Sequence, residues 1–363
     1  MGRLPKPRVF QVVGSLGIGG AEQIAIAVAI GVSQHGWDSV VVSATGNRDL
    51  DRCKMDLQAA GVHIETLSRS WISKMVKAMS LARQYQPTLV HVHTELPELI
   101  GMLMKSVTPR THLVRTIHNQ ARWPDHATMR ALTHIYYRLW SSQQYACSPA
   151  AAMHGEPVIL NGVPWTTEIP DKNPFLVSFV GRMEAQKNPA GVIEIVRLAR
   201  MQDNRIKLRM VGGGSLLADL KRKYNDEWIE WLGPRSDAPW HIGQSVVAVF
   251  ASGYEGLPLV AVEALTRLTS VLAPDISGFQ GMDWVTLYQP GNWGEASQKL
   301  LKMMVASRAE ALTIARSLHQ EQYAQGRMVE NYLAEYRKIL YPGQVASQEH
   351  ALCNAGTNSD SAL

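Results

Sequence analysis

Two carboxylates eight positions apart, Glu255 and Glu263, lie in the run Ser252-Gly-Tyr-Glu-Gly-Leu-Pro-Leu-Val-Ala-Val-Glu-Ala-Leu265, which follows a strand-like segment and opens a helical one. Free backbone N–H groups and the positive end of a helix dipole, placed beyond the carboxyl end of a strand, suit a phosphate. Gly256 and Leu257 supply such amides. Glu255, on the turn, can accept hydrogen bonds from sugar hydroxyls, and Glu263, further along the helix, is spaced to reach a ribose diol. A second run, Phe179-Val-Gly-Arg-Met-Glu-Ala-Gln-Lys-Asn-Pro189, puts Arg182 and Lys187 in another strand-to-helix loop. Two fixed cations there suit a diphosphate, and they stabilise charge building on a leaving phosphate more than they stabilise the ground state.

Glycines mark two further loops. Val211-Gly-Gly-Gly214, with Gly213 at its centre, lets backbone approach a ligand because no Cβ intrudes. The stretch from Gly14 to Glu22, with Gly19 and Gly20, follows the first strand in the same way. It lacks G-x-G-x-x-G spacing, and no clear acidic residue ends the second strand, which disfavours a nicotinamide site. Taken singly, each feature has a plainer explanation: Glu255 as a cap, Glu263 as a solvated helix face, Arg182 and Lys187 as loop cations, the glycines as turns. Their common placement at strand ends favours ligand chemistry.

His118 ends Leu113-Val-Arg-Thr-Ile-His118, and His93 ends Leu89-Val-His-Val-His93, on the acceptor side. Neither has an evident carboxylate partner that would make it a general base, and a histidine at a strand end also serves as a structural donor. Asp49-Leu50-Asp51 spells a D-x-D, but its polar surroundings after the second strand mark it as coincidental. With no close cluster of His, Asp and Glu, neither a metal nor any other cofactor is expected.

The elements that must position these residues read as a βαβ rhythm. Runs rich in Val, Ile and Phe occur at Val9 to Val13, Ser39 to Ser43, His63 to Leu67, Thr88 to His93 and His112 to His118, separated by helical stretches such as Ala21 to Ser33 and Trp71 to Gln84. A polar stretch follows Asn161-Gly-Val-Pro164, and the rhythm restarts at Phe175 to Val180, with strands at Lys207 to Val211, Glu230 to Leu232, Val246 to Phe250 and Ser270 to Ala273. The pattern implies an α/β chain with two Rossmann-like, doubly wound parallel sheets. The expected domains are 1–165 on the acceptor side, 166–325 on the donor side, a C-terminal helix at 326–342 packing back on the first domain, and a disordered tail at 343–363. Helical periodicity runs from Ala306 to Leu340.

Composition bounds the rest. A chain of 363 residues exceeds one core, and 46% hydrophobic against 18% charged residues allows sizeable ones. A net charge of +5 favours an anionic partner: nucleic acid, membrane or a phosphorylated small molecule. Basic residues form no stripe interleaved with aromatics, which argues against nucleic acid. Cys53, Cys147 and Cys353 form no CxxC, so a reducing, cytoplasmic setting is expected. No secretory signal and no run of apolar residues long enough to span a bilayer is present. Peripheral attachment stays open, because Trp71 to Arg83 joins an apolar stripe at Ile72, Met75, Val76 and Met79 to Lys74, Lys77 and Arg83. That pattern fits a membrane-docking helix, and fits still better an ordinary sheet-covering helix with a solvated basic face.

Gly19-Gly20-Ala21-Glu22, Asn161-Gly162-Val163, the Gly181-Arg182 to Lys187-Asn188-Pro189 run, the Gly212 loop and the Glu255/Glu263 pair together resemble glycosyltransferase family 4, over roughly residues 8 to 325. The resemblance implies a GT-B fold and a retaining, metal-independent transfer of a sugar from a nucleoside-diphosphate sugar to a saccharide or lipid-linked saccharide. It also implies roles: Arg182 and Lys187 on the diphosphate, Glu255 and His118 on the sugar, Glu263 on the ribose, Gly19 and Gly20 on the cleft wall. The sequence departs from the family after Glu263, where Thr266 to Gly278 replaces a glycine-rich, proline-containing turn. Two rivals remain: a nucleotide-sugar epimerase, and a non-catalytic nucleotide-sugar-binding subunit.

Overall fold

The computed structural model describes residues 6–17, 19–45, 51–68, 70–118, 135–136, 139–140, 143–305 and 311–343. The chain divides into two units. One comprises Met1–Ile117, Ala121–Ala146 and Gly326–Leu363, the other His118–Gln120 and Cys147–Gln325.

In the first unit the strands are β1 (Arg8–Val13), β2 (Asp38–Ser43), β3 (His63–Thr66), β4 (Leu89–Val92), β5 (His112–Ile117) and β6 (Gln143–Ala146). They form one parallel sheet in the order β3-β2-β1-β4-β5-β6. Apolar side chains cover both faces, as a parallel sheet beneath crossover helices requires. Phe10, Val12 and Val90 pack with Ala78, Leu81 and Met104, while Val13 and Val41 pack on the opposite side with Ala25, Ala29 and Leu57. The helix Gln325–Leu340 belongs to this unit and buries Tyr332 and Tyr336 in it.

The second unit holds β7 (Leu176–Val180), β8 (Lys207–Val211), β9 (Ile229–Gly233), β10 (Val247–Val249), β11 (Ser270–Pro274) and β12 (Val285–Tyr288). Their order is β12-β11-β10-β7-β8-β9, again all parallel. Counted from its own first strand, this is the same Rossmann order as in the first unit. Alternation along β10 feeds two cores: Val247 and Val249 join Phe179 and Ile193, and Ala248 joins Ala261 and Phe279.

Two strands lie outside the runs expected from sequence. β6 reads Gln-Gln-Tyr-Ala and β12 reads Val-Thr-Leu-Tyr, both short edge strands with little apolar periodicity. The periodicity from Ala306 to Leu340 resolves into separate helices, Ala311–Leu318 and Gln325–Leu340, with a short wider-wound turn at His319–Tyr323. The break at Ala324 has a backbone cause. Val163 donates its N–H to the Tyr323 carbonyl (2.9 Å) and accepts from the Gln325 N–H (3.2 Å), which takes those groups out of helical pairing. A Cβ at Gly162 would lie 2.6 Å from the Ala324 oxygen, so glycine permits the approach. The segment at 344–363 and Asp49-Leu50 lie outside the described residues.

Candidate functional site

The strand order of the second unit reverses between β7 and β10, the place where open α/β sheets leave a crevice beyond their carboxyl ends. Three neighbouring strands, β8, β7 and β10, therefore bring three loops together, and these carry most of the second-unit residues singled out from sequence.

After β7, residues Ala185–Lys187 wind into a short 3-10 turn ending in Asn188 at φ 45°, whose side chain accepts from the Gly191 N–H and starts the helix Pro189–Arg200. This fixes Lys187 against the loop after β10. Its Nζ lies 2.5 Å from Glu255 Oε1, with the two side chains only 17% and 5% exposed. A carboxylate so enclosed is stable only when paired, and Lys187 supplies the pair. Gly278 lies behind Glu255, where a Cβ would come within 2.5 Å of the Glu255 Cβ.

Gln186 ties the same loops together. Its side-chain oxygen accepts from Arg182 (3.0 Å), its amide nitrogen donates to the Tyr254 carbonyl (3.0 Å), and its backbone carbonyl accepts from the Gly253 N–H (2.8 Å). Arg182 itself is exposed. Glu184 reaches the third loop by accepting from both the N–H (2.7 Å) and the hydroxyl (2.6 Å) of Ser215, contacts that hold its carboxyl below the usual range. Gly213 accepts from the Met183 N–H (2.8 Å). Gly212 adopts φ 135° with its Cβ position 1.9 Å from the Gly181 oxygen, so only glycine lets these loops lie together.

Gly256 and Leu257 continue the β10 loop. The Gly256 carbonyl accepts from the Ser148 hydroxyl (2.7 Å), and the Leu257 N–H is directed at the Cys147 sulfur. Cys147 is buried, which pushes its thiol up to about 12, and it donates to the His118 carbonyl (3.6 Å). The backbone of His118 thus stands one residue removed from the Gly256-Leu257 turn. Burial pushes the His118 imidazole down to about 4, so it is neutral at pH 7. The Ser252 hydroxyl, buried in this loop, has no hydrogen-bond partner among the described residues.

Glu263 sits in the helix Leu259–Thr266, half-buried, without a side-chain hydrogen bond or ion pair among the described residues. Burial raises its carboxyl to about 7, against a weaker downward pull from Arg267. Thus Arg182, Lys187, Gly213, Glu255, Gly256 and Leu257 share one loop cluster. Gln186, Glu184, Ser148 and Gly278 are additions that sequence motifs did not single out; each is a lone polar or small residue whose importance comes from a partner distant in sequence.

The first-unit candidates are placed otherwise. Gly19 and Gly20 start the helix Gly20–Gln34, with the Glu22 carboxylate folded over Gly19 in the space a Cβ would take. His93 is 1% exposed, and its Nε2 donates to Gln11 Oε1 (2.7 Å). Gln11 donates to the Tyr336 hydroxyl (3.1 Å), which bonds His91 Nδ1 (2.6 Å), and His91 Nε2 bonds the Thr116 hydroxyl (2.8 Å), itself bonded to that of Tyr332 (2.9 Å). His93 is a member of a buried relay.

Comparison with known proteins gives two family matches: residues 18–154 fit Glycosyltransferase Family 4, and residues 166–311 fit Glycosyl transferases group 1. The UDP-Gal:alpha-D-GlcNAc-diphosphoundecaprenol alpha-1,3-galactosyltransferase of Escherichia coli is 24% identical over 246 residues, 57% of this chain and 62% of that protein. The D-inositol 3-phosphate glycosyltransferase of Gordonia bronchialis is 28% identical over 193 residues, 47% of this chain and 42% of its own length. The matches therefore span less than two thirds of these relatives. Anabaena HepE, solved with UDP and glucose, superposes with TM-score 0.76 at 15% identity, covering 90% of this chain and 98% of its own. The lipopolysaccharide outer core galactosyltransferase WaaB superposes with TM-score 0.61 at 16% identity, covering 93% and 99%. These likenesses show a shared two-unit GT-B fold.

Proposed function

The chain belongs to glycosyltransferase family 4, and from that premise we propose that it is a retaining, metal-independent glycosyltransferase using a nucleoside-diphosphate sugar. The observation carrying this reading is the Lys187–Glu255 pair at 2.5 Å, on adjacent loops at the strand-order reversal, with Arg182 held beside it through Gln186. A diphosphate entering there exchanges one anionic partner of Lys187 for another. It releases the Glu255 carboxylate to accept from sugar hydroxyls, while Arg182 and Lys187 hold the phosphates.

The acceptor hydroxyl attacks the anomeric carbon on the face the diphosphate leaves. The bond from that carbon to the phosphate oxygen breaks, the new glycosidic bond forms, and the hydroxyl proton passes to the departing phosphate. Lys187 and Arg182 stabilise the developing phosphate charge, and being fixed in place they need little reorganisation as it grows. Neutral His118 hydrogen-bonds the sugar or diphosphate without adding charge. Glu263 receives the ribose hydroxyls when ionised.

The E. coli relative acts on a diphosphoundecaprenol-linked sugar, which supports a lipid-linked saccharide acceptor and, with it, a place in polysaccharide or glycolipid synthesis at a membrane surface. Among the described residues no helix is long and apolar enough to cross a membrane, so peripheral contact is the form of attachment proposed.

Thermal shift with UDP, GDP, ADP and their sugar conjugates identifies the donor, since a ligand that binds the native state raises its melting temperature. NMR of the product made with EDTA present then tests the reaction. An anomeric configuration matching the donor's is expected; inversion, or loss of activity restored by a divalent ion, overturns the retaining or metal-independent part.

A further inference from the structure

The helix Trp71–Tyr85 covers the first sheet with its C-terminal half and turns Trp71, Ile72 and Val76 of its N-terminal half outward. Ala78, Leu81 and Ala82 enter the core beside Phe10 and Val90. On the same stripe, one turn before Ala78, stands a lysine: Lys74 is 6% exposed, its ammonium 5.9 Å from the centre of the Trp71 ring. Trp71, Ile72 and Val76 are 48%, 70% and 57% exposed. An ordinary sheet-covering helix has the opposite polarity, apolar side in and charge out. The first half of this helix is therefore not that of an ordinary sheet-covering helix.

A second exposed group borders the same layer. Tyr136 packs on that core and donates its hydroxyl to the Met102 carbonyl (2.8 Å), on the helix Glu95–Val107, which packs against Trp71–Tyr85. Around Tyr136, Ile135, Leu139 and Trp140 are 52%, 70% and 49% exposed. Scattered apolar residues on a surface need no explanation, but two groups of three, each with a tryptophan, on one layer do.

We propose that this face docks on an anionic lipid surface, with Trp71, Ile72 and Val76 in the headgroup region and Lys77 and Arg83 toward lipid phosphates. The proposal deepens the lipid-linked acceptor reading, on which its purpose rests. Charge decides between lipid and a second copy of the chain. Residues 71–85 include Lys74, Lys77 and Arg83 and no Asp or Glu. Lys74 is buried, and Lys77, which donates to the Thr66 carbonyl (2.7 Å) and lies 3.6 Å from Glu65 on β3, still leaves the exposed face net positive with Arg83. A two-fold pairing of this helix with itself would set the exposed Lys77 and Arg83 against their own copies, whereas a surface of lipid phosphates complements them. Tryptophan with flanking cations is also the composition that settles at the headgroup level.

The test is co-sedimentation of the full chain with vesicles of phosphatidylcholine alone and of phosphatidylcholine mixed with phosphatidylglycerol. The Ile72→Ser/Val76→Ser double variant changes only exposed side chains, and the donor thermal shift is measured alongside. Expected are preference for the anionic vesicles, weakening with added salt, and about tenfold weaker partition of the variant with its donor response intact. Equal binding to both vesicle types, or undiminished binding by the variant, overturns the proposal. So does a concentration-dependent dimer abolished by the same substitutions, which assigns the face to a second copy. Failure of the transferase reading would appear separately, as absent donor response and sugar transfer in a protein that still sediments with vesicles.

Discussion

The strand order reverses in each unit at an equivalent place, between β1 and β4 and between β7 and β10, but the side chains gathered there differ. Beyond β7 and β10 the polar groups stand on loops: Lys187 and Glu255 satisfy each other, and Arg182 is exposed. At β1 and β4 the polar groups stand on and just after the strands themselves, and Gln11, His91, His93 and Thr116 close into a relay sealed by Tyr332 and Tyr336 of the C-terminal helix. One topology yields a charged loop cluster suited to ligand and a polar core that fastens a helix. Identical strand order thus says where chemistry is permitted, and side-chain placement says whether it is present.

The sharpest way to break this contrast is Lys187→Ala. Glu255 would remain buried without its cation, so kcat/KM should fall about 10²- to 10³-fold and stability by about 3 kcal/mol. Adding Glu255→Gln should restore much of the melting temperature without restoring turnover. Equal recovery of both would mean that the pair is structural only.

Tyr336→Phe probes the other unit. It removes one bond from Gln11 and one from His91 in a dry site, which should cost about 1–3 kcal/mol in urea unfolding while leaving the donor thermal shift unchanged. A loss of donor response would tie the relay to the ligand site.

A third test uses pH. Glu263 has a folded pKa raised to about 7, so between its ordinary value and about 7 the folded state holds more protons than the unfolded state. Stability of the ligand-free protein should therefore fall as pH rises through that window, by about 1–2 kcal/mol given its partial exposure, and Glu263→Gln should flatten the trend. Donor affinity should move the opposite way, rising as pH passes about 7, because the ionised carboxylate accepts ribose hydroxyls. A pH-independent affinity would remove Glu263 from the ribose.

The smallest effect is expected at Gln186→Glu. The substitution keeps a partner for Arg182 but places an oxygen against the Tyr254 carbonyl, and about fivefold lower kcat/KM is expected, with little change in melting temperature.

Most strands were readable because both-face burial leaves unbroken apolar runs such as Val9 to Val13 and Phe175 to Val180. β6 and β12 carry no such run, since an edge strand contacts one neighbour and tolerates Gln or Thr. Arg182, Lys187 and Glu255 were readable as strand-end charges. Their meeting was not, because Lys187 and Glu255 lie 68 positions apart and only the pairing of β7 with β10 joins them. Gln186 has no sequence signature at all. The Trp71 helix shows the limit of periodicity: Ile72, Met75, Val76 and Met79 form one apolar stripe, Ala78, Leu81 and Ala82 another, and the pattern alone does not say which faces the sheet. Gln11 is a single polar residue inside the apolar run Val9-Phe-Gln-Val-Val13, and only its partners His93 and Tyr336, distant in sequence, make it part of a polar core.

The relay in the first unit also reports on the helix that seals it. His93 Nε2–H donates to Gln11 Oε1 and the Gln11 amide donates to the Tyr336 hydroxyl, while both ring nitrogens of His91 are engaged, Nδ1 by Tyr336 and Nε2 by Thr116. Gln11 Oε1 fixes a proton on His93 Nε2, and the hydroxyls on its two sides hold His91 in place. Nitrogen-15 NMR of these rings becomes an internal gauge of the C-terminal helix: sharply defined ring signals while Tyr336 is seated, and averaged ones when the helix lifts.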